Sequence, residues 1–115
     1  MDYKLQFKVI QPRGIFNGRK GKKLYQEVIE IIQSGINTVL IDFKEITFMD
    51  SSGFGTLLLT LKTVRQKEGR LVFSSLNDQI RMILDLSDTA RVFEVFPDQA
   101  SFTQTLAQKQ EVIGK

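Results

Sequence analysis

The run Thr38-Val39-Leu40-Ile41-Asp42-Phe43 is β-branched and almost unbroken in apolar character. Such a run reads as a strand covered on both faces, so the chain must place helices over a sheet. Just downstream the period changes. Phe54, Leu57, Leu58, Leu61 and Val64 recur at helical spacing, with Lys62, Arg65 and Lys67 pointing elsewhere and suiting the helix C-terminus.

The remaining segments fit the same plan. Residues 5–10 alternate loosely, with Leu5, Phe7 and Val9 against Gln6 and Lys8, and read as a first strand. Pro12-Arg13-Gly14 forms a turn, after which Ile15 and Phe16 are expected to pair antiparallel with that strand. Residues 17–23 are polar and basic. A helical stripe of Leu24, Val28, Ile31 and Ile32 ends at Ser34-Gly35, where glycine provides a left-handed cap.

Gly69 is expected to stop the helix of residues 54–66, and Arg70–Ser74 to form another strand. Ile80, Ile83 and Leu84 mark a short helix, and residues 92–96 a last strand. Pro97-Asp98 opens a terminal helix with Asp98 as its cap and Phe102 and Leu106 on one face. The expected order is β-β-α-β-α-β-α-β-α. Strands alternating with helices argue for an α/β fold with a mostly parallel sheet and right-handed crossovers. Functional loops in such a sheet lie at strand carboxyl ends, where helices begin.

The chain has 115 residues, enough for one domain and one modest core. Residues 1–109 are read as that domain and 110–115 as a frayed tail. With 16 basic and 13 acidic side chains the net charge of +3 is too weak to argue for direct nucleic-acid binding. No cysteine is present, so disulfides and thiolate metal sites are excluded. No histidine is present, which removes histidine-based catalysis and metal ligation. No metal, cofactor or enzymatic activity is expected. The start shows no secretory signal, and the longest purely apolar run, Val39-Leu40-Ile41, is far short of a membrane span. A soluble cytoplasmic protein of open oligomeric state is expected.

Asp50-Ser51-Ser52-Gly53-Phe54-Gly55 occupies the junction between the covered strand and the helix that follows. Either Asp50 or Ser51 can cap that helix, which would contribute about 1 kcal/mol. Gly53 and Gly55 each cost helix stability of about 1 kcal/mol relative to alanine. They are expected to leave first-turn amides bare for a close approach by another surface. A purely structural reading is a capped helix start packed on the sheet. Nucleophilic catalysis by Ser51 lacks a histidine to activate it, and only Lys20, Lys22 or Lys44 remains as a formal base. Gly14, Gly18 and Gly21 lie near lysines but follow no phosphate-loop pattern. The chemistry that fits an exposed serine here is phosphate acceptance, which adds about −1.5 to −2 charges without requiring a fold change.

These residues resemble the STAS domains of the anti-sigma factor antagonist family. The resemblance rests on Val39-Leu40-Ile41-Asp42-Phe43, on Ile46-Thr47-Phe48-Met49 running into the Asp50-to-Gly55 motif, and on Gly69-Arg70-Leu71-Val72. Leu76-Asn77, Ile83-Leu84 and residues 92–96 extend it over roughly residues 4 to 108. It implies a single STAS-like domain with a four- to five-stranded sheet and helices mainly on one side. It also implies a partner-switching protein that binds a serine kinase acting as an anti-sigma factor while unphosphorylated. By position Ser51 is the phosphorylated residue, with Ser52 the second choice, and a serine phosphatase resets the switch. Asp50 matches the acidic position before the switch serine. Ser52 and Gly53 match the partner-contacting helix start, with Phe54 beside them, and Asp42 matches an acid at the central strand's end.

One departure is that Asn17 stands where an acid near the switch serine is common. Arg19, Lys20, Lys22 and Lys23 follow, making a basic rim that is either a solvated helix start or a patch favouring an acidic partner surface. Asn17, Arg19 and Lys20 therefore join the expected partner-binding set. The second functional reading is a scaffold or sensor of the same fold that binds a nucleotide or lipid, or associates with itself, without a sigma-factor output.

Overall fold

The computed structural model describes residues 6–113, with side chains through Leu106. Its elements are β1 (Lys8–Ile10), β2 (Arg13–Phe16), α1 (Gly18–Gln33), β3 (Thr38–Asp42), β4 (Glu45–Met49), α2 (Ser51–Gln66), β5 (Arg70–Ser74), α3 (Asp78–Leu86), β6 (Glu94–Phe96) and α4 (Gln99–Ile113). Four parallel strands form one sheet in the order β1-β3-β5-β6, and β2 and β4 form a separate parallel ribbon. The expected α/β class with a parallel sheet is what the chain adopts. The expected frayed tail reaches residues 114–115, which lie outside the described residues, as does Leu5 of the first expected strand.

Two strand expectations are corrected. Ile15 and Phe16 do not fold back antiparallel onto β1; β2 runs parallel to β4. Residues 8–10 pair with 39–41 at an offset of 31, and the ribbon that follows pairs at offsets of 32 and then 33. The chain at 11–12 therefore breaks the ladder without reversing direction. Pro12 lacks the N–H that a continuous ladder would use there. The second correction is β4 itself, an added strand between β3 and α2. It is as long as β3, but three of its five residues are exposed, so it lacks the continuous apolar character that marks β3.

Both faces of the main sheet are covered, as the run at 38–43 requires. Val39 and Ile41 point into the larger core with Leu24 and Val28 of α1, Leu57 and Leu61 of α2, and Ile80 and Leu84 of α3. Leu40 and Val72 face the other way, onto Phe102 and Leu106 of α4. Helices therefore lie mainly on one side, with α4 alone on the other. Phe16, Phe43, Phe73 and Phe93 form a row of ring contacts through the larger core, with centroids 5.8, 5.2 and 4.7 Å apart. Phe43 is 1% exposed, and truncating it to alanine costs about 3 to 5 kcal/mol by loss of burial and a residual cavity.

Helix ends follow the sequence with one exchange of roles. Gly35 has φ 104° and caps α1, as expected. After α2 the left-handed residue is Glu68 at φ 61°, not Gly69. A Cβ on Gly69 would lie 2.9 Å from Val64 Cγ1 and 3.0 Å from Ile32 Cδ1, so this glycine serves close packing of α1 and α2. Asp98 caps α4 by accepting from the Ser101 amide at 2.8 Å. The last strand is shorter than expected, because the Val92 amide turns back to the Thr89 carbonyl at 2.9 Å.

Candidate functional site

The ribbon delivers the Asp50-to-Gly55 motif to the surface. The Asp50 amide donates to the Phe16 carbonyl at 3.1 Å, fixing the end of β2 against the start of α2. Asp50, rather than Ser51, is the cap: its Oδ1 accepts from the Gly53 amide at 2.8 Å. The same oxygen accepts from the Ser52 hydroxyl at 2.7 Å. Ser52 Oγ in turn accepts from the Gly18 amide at 2.8 Å. One hydroxyl thus ties the first turn of α2 to the first turn of α1. The Gly53 amide, followed by the Ser52 hydroxyl, holds the Asp50 carboxyl below its ordinary value.

The two serines differ sharply. Ser52 is exposed but fully engaged, as donor to Asp50 and acceptor from Gly18. Ser51 is exposed at the first helical position, and its hydroxyl has no hydrogen-bond partner among the described residues.

Gly53 departs from the expectation of a bare amide. It is buried, its N–H is used by Asp50, and a Cβ there would lie 2.2 Å from the Phe16 carbonyl oxygen. Its lack of a side chain serves the ribbon. Gly55 has open space where a Cβ would go and remains accessible. Phe54 is only partly buried and meets the Phe93 ring at 6.4 Å, so it is divided between core and surface.

Residues 17–23, read as a polar basic stretch before a helix starting at Leu24, are instead a cap and the opening turns of α1. Asn17 is its N-cap, accepting from the Lys20 amide at 3.0 Å. Arg19, Lys20, Lys22 and Lys23 are not buried. The Lys20 ammonium donates to the Arg13 carbonyl. Gly18 and Gly21 prove to be packing positions. A Cβ on Gly21 would lie 1.7 Å from Thr56 Oγ1, so this position lets α1 cross α2 closely. Asp42, buried at the end of β3, is committed to structure: it accepts from Gln11 Nε2 and from the Lys44 amide, each at 3.1 Å.

Sequence reasoning missed two features beside the motif. Ile15 and Phe48 are cross-strand partners on the ribbon, and they are 54% and 47% exposed. Phe48 is exposed although it stands two residues after buried Ile46, because the register shift skips Thr47 in the pairing, and that shift leaves no mark in the sequence pattern. Gln79 was also missed. Its side-chain amide accepts from Met49 N–H and donates to Met49 C=O, both at 2.8 Å, standing in for a neighbouring strand along β4. Among the described residues no group of three His, Cys, Asp or Glu is placed to hold a metal, and no helix is long and apolar enough to cross a membrane.

A family model for the STAS domain matches residues 6–102. BtrV of Bordetella bronchiseptica, a putative anti-sigma factor antagonist by name, is 26% identical over 83 residues, covering 72% of each chain. The anti-sigma-B factor antagonist of Listeria monocytogenes is 30% identical over 71 residues, covering 61% of this chain and 62% of that protein. Among solved structures, the phosphorylated form of SpoIIAA, a Bacillus cell fate determinant, superposes with TM-score 0.67 at 18% identity, covering 91% of this chain and 96% of that one. At that identity the likeness concerns the fold.

Proposed function

The chain belongs to the STAS domain family, and from that premise we propose that it is a phosphorylation-controlled anti-sigma factor antagonist. It acts by binding, not catalysis, in the cytoplasm. Unphosphorylated, it docks through the motif at 50–55 and the adjoining start of α1 on a serine kinase that is also an anti-sigma factor. The kinase transfers the terminal phosphoryl group of ATP to Ser51 Oγ; the P–O bond to ADP breaks and the hydroxyl proton passes to the kinase. The phosphorylated protein leaves, and a serine phosphatase restores it.

The observation that carries the reading is the contrast between the two hydroxyls. Ser51 Oγ is exposed and unengaged at a helix N-terminus, where backbone amides favour negative charge. Modifying Ser52 would break its links to Asp50 and Gly18. A dianion at Ser51 leaves those links in place and falls where a partner surface fits a neutral hydroxyl. A loss of about 3 kcal/mol there lowers affinity more than a hundredfold.

The test is incubation with the cognate kinase and ATP, with the phosphate mapped by mass spectrometry. Phosphate on Ser51 is expected; phosphate confined to Ser52 or elsewhere contradicts the proposal. Ser51→Ala should bind the kinase and remain bound in ATP, whereas Ser51→Asp should bind weakly.

A further inference from the structure

A groove of about 630 Å³ runs between the edge strand β1, the turn after it and the exposed flank of α1. Its apolar lining is Ile10, Pro12 and Leu24, with Val9 bordering it at the strand edge. Its rim is cationic, from Arg13, Arg19, Lys20 and Lys23, against the single carboxylate of Glu27. The Lys20 ammonium bonds to the Arg13 carbonyl and straps the turn to the helix at one end of the groove. None of the four cations has a carboxylate within ion-pair distance among the described residues, where Arg70 with Glu94 is the only such pair. Among the described residues, then, these cations are not paired with the protein's own acids. Arg19 and Lys20 also sit in the first turn of α1, where positive charge opposes the helix dipole.

β1 pairs on one side with β3 and has no second strand partner among the described residues. Val9 is 38% exposed in the middle of it. An open strand edge beside an apolar floor accepts extended main chain, with alternate side chains directed inward. The four cations select negative side chains for the remaining positions.

We propose that this groove binds an extended acidic peptide segment of a protein partner, with apolar residues alternating with carboxylates, laid along β1 between the sheet edge and α1. The site is separate from Ser51. It also regroups the basic rim: Lys22 lies outside the groove and Arg13 takes its place.

The probe is a labelled, terminally blocked peptide of about ten residues alternating glutamate and leucine, long enough to follow one strand. Its binding to the full chain is followed by fluorescence anisotropy, and its location by backbone amide NMR shifts. Saturable binding with shifts over residues 8–13 and 19–27 is expected. Arg19→Glu with Lys23→Glu, both away from the core, should weaken it at least about tenfold, and so should raising salt from about 25 to 200 mM. Val9→Ser should weaken it severalfold through loss of the apolar contact, and Ser51→Asp should leave it unchanged.

Equal binding of a peptide with lysine in place of glutamate would overturn the proposal. So would full displacement by equimolar tripolyphosphate, which marks a small-anion site, or binding to phosphatidylserine vesicles but not to the peptide. Shifts centred on the start of α2 would overturn it as well. Arg19 and Lys20 at the start of α1 border both surfaces, but Ser51 lies outside the groove, so failure here leaves phosphorylation of Ser51 untouched, and the reverse also holds.

Discussion

Asp50 accepts from the Gly53 amide and the Ser52 hydroxyl through one carboxylate oxygen, and Asp98 accepts from the Ser101 amide in the same manner. Both carboxyls are held below their ordinary value, in each case chiefly by the backbone amide they cap. The sign follows from linkage. A carboxyl whose folded pKa lies below its unfolded one contributes stability above the unfolded value, and that contribution is lost as pH falls through the folded one. Stability should therefore decline from about pH 4 downward. Asparagine caps helices as well as aspartate does, so Asp50→Asn with Asp98→Asn should fold normally at neutral pH. Urea midpoints measured against pH should show a shallower acid decline for this double variant; parallel curves would contradict the assignment. Ser74 offers a second residue-scale test. Its hydroxyl is fully buried without a hydrogen-bond partner among the described residues, so Ser74→Ala should be neutral or stabilising by up to about 1 kcal/mol in urea unfolding.

At the level of elements, β4 depends on a side chain for one of its edges. Gln79 supplies both a donor and an acceptor to Met49, while Asn77 Nδ2 donates to the Ile46 carbonyl at 3.2 Å and Asn77 Oδ1 caps α3. Gln79→Ala would leave a partly buried N–H and C=O short of partners, at about 2 kcal/mol. The expected readout is faster hydrogen exchange at Met49 by about ten- to a hundredfold, with little change in the β3–β5 ladder. Uniform acceleration across the sheet would show that β4 is not separately held. This dependence also explains what the sequence made legible. The covered strand at 38–43 and the helical stripe from Phe54 announce themselves because burial of many apolar side chains dictates their period. The end of α1 is read from Gly35 by backbone conformation alone. β4 is hidden because its pairing depends on a parallel partner over thirty residues away and a glutamine on a later helix. The start of α1 is hidden because its opening turns are basic; Asn17 and the close contact of Gly21 with Thr56 hold it, and neither leaves an apolar pattern. At the site, the position and neighbours of Ser51 were legible. The locking of Ser52 by Gly18 was not, since it joins segments 34 residues apart.

For the whole molecule, the separation of the core from Ser51 decides how a phosphate there, as proposed, would act. The rings of Phe16, Phe43, Phe73 and Phe93 and the α1–α2 crossing lie inside, while Ser51 contributes its hydroxyl to none of that packing. Ile15 and Phe48 add an exposed apolar step on the ribbon that feeds directly into the motif, Phe48 preceding Ser51 by three residues. An apolar anchor beside a neutral hydroxyl is the arrangement in which a partner gains from desolvation and loses it when charge arrives. Phe48→Asp and Ser51→Asp should therefore weaken binding to the cognate kinase, by about ten- and a hundredfold respectively, through lost contact and misplaced charge. Neither exposed substitution should move the urea unfolding midpoint by more than the equivalent of about 0.5 kcal/mol. The combined measurement separates two kinds of switch. Reduced affinity at constant stability is the result expected from a local charge; reduced affinity accompanied by a large drop in the midpoint would mean that the charge disrupts the fold, and would contradict a switch confined to the docking surface.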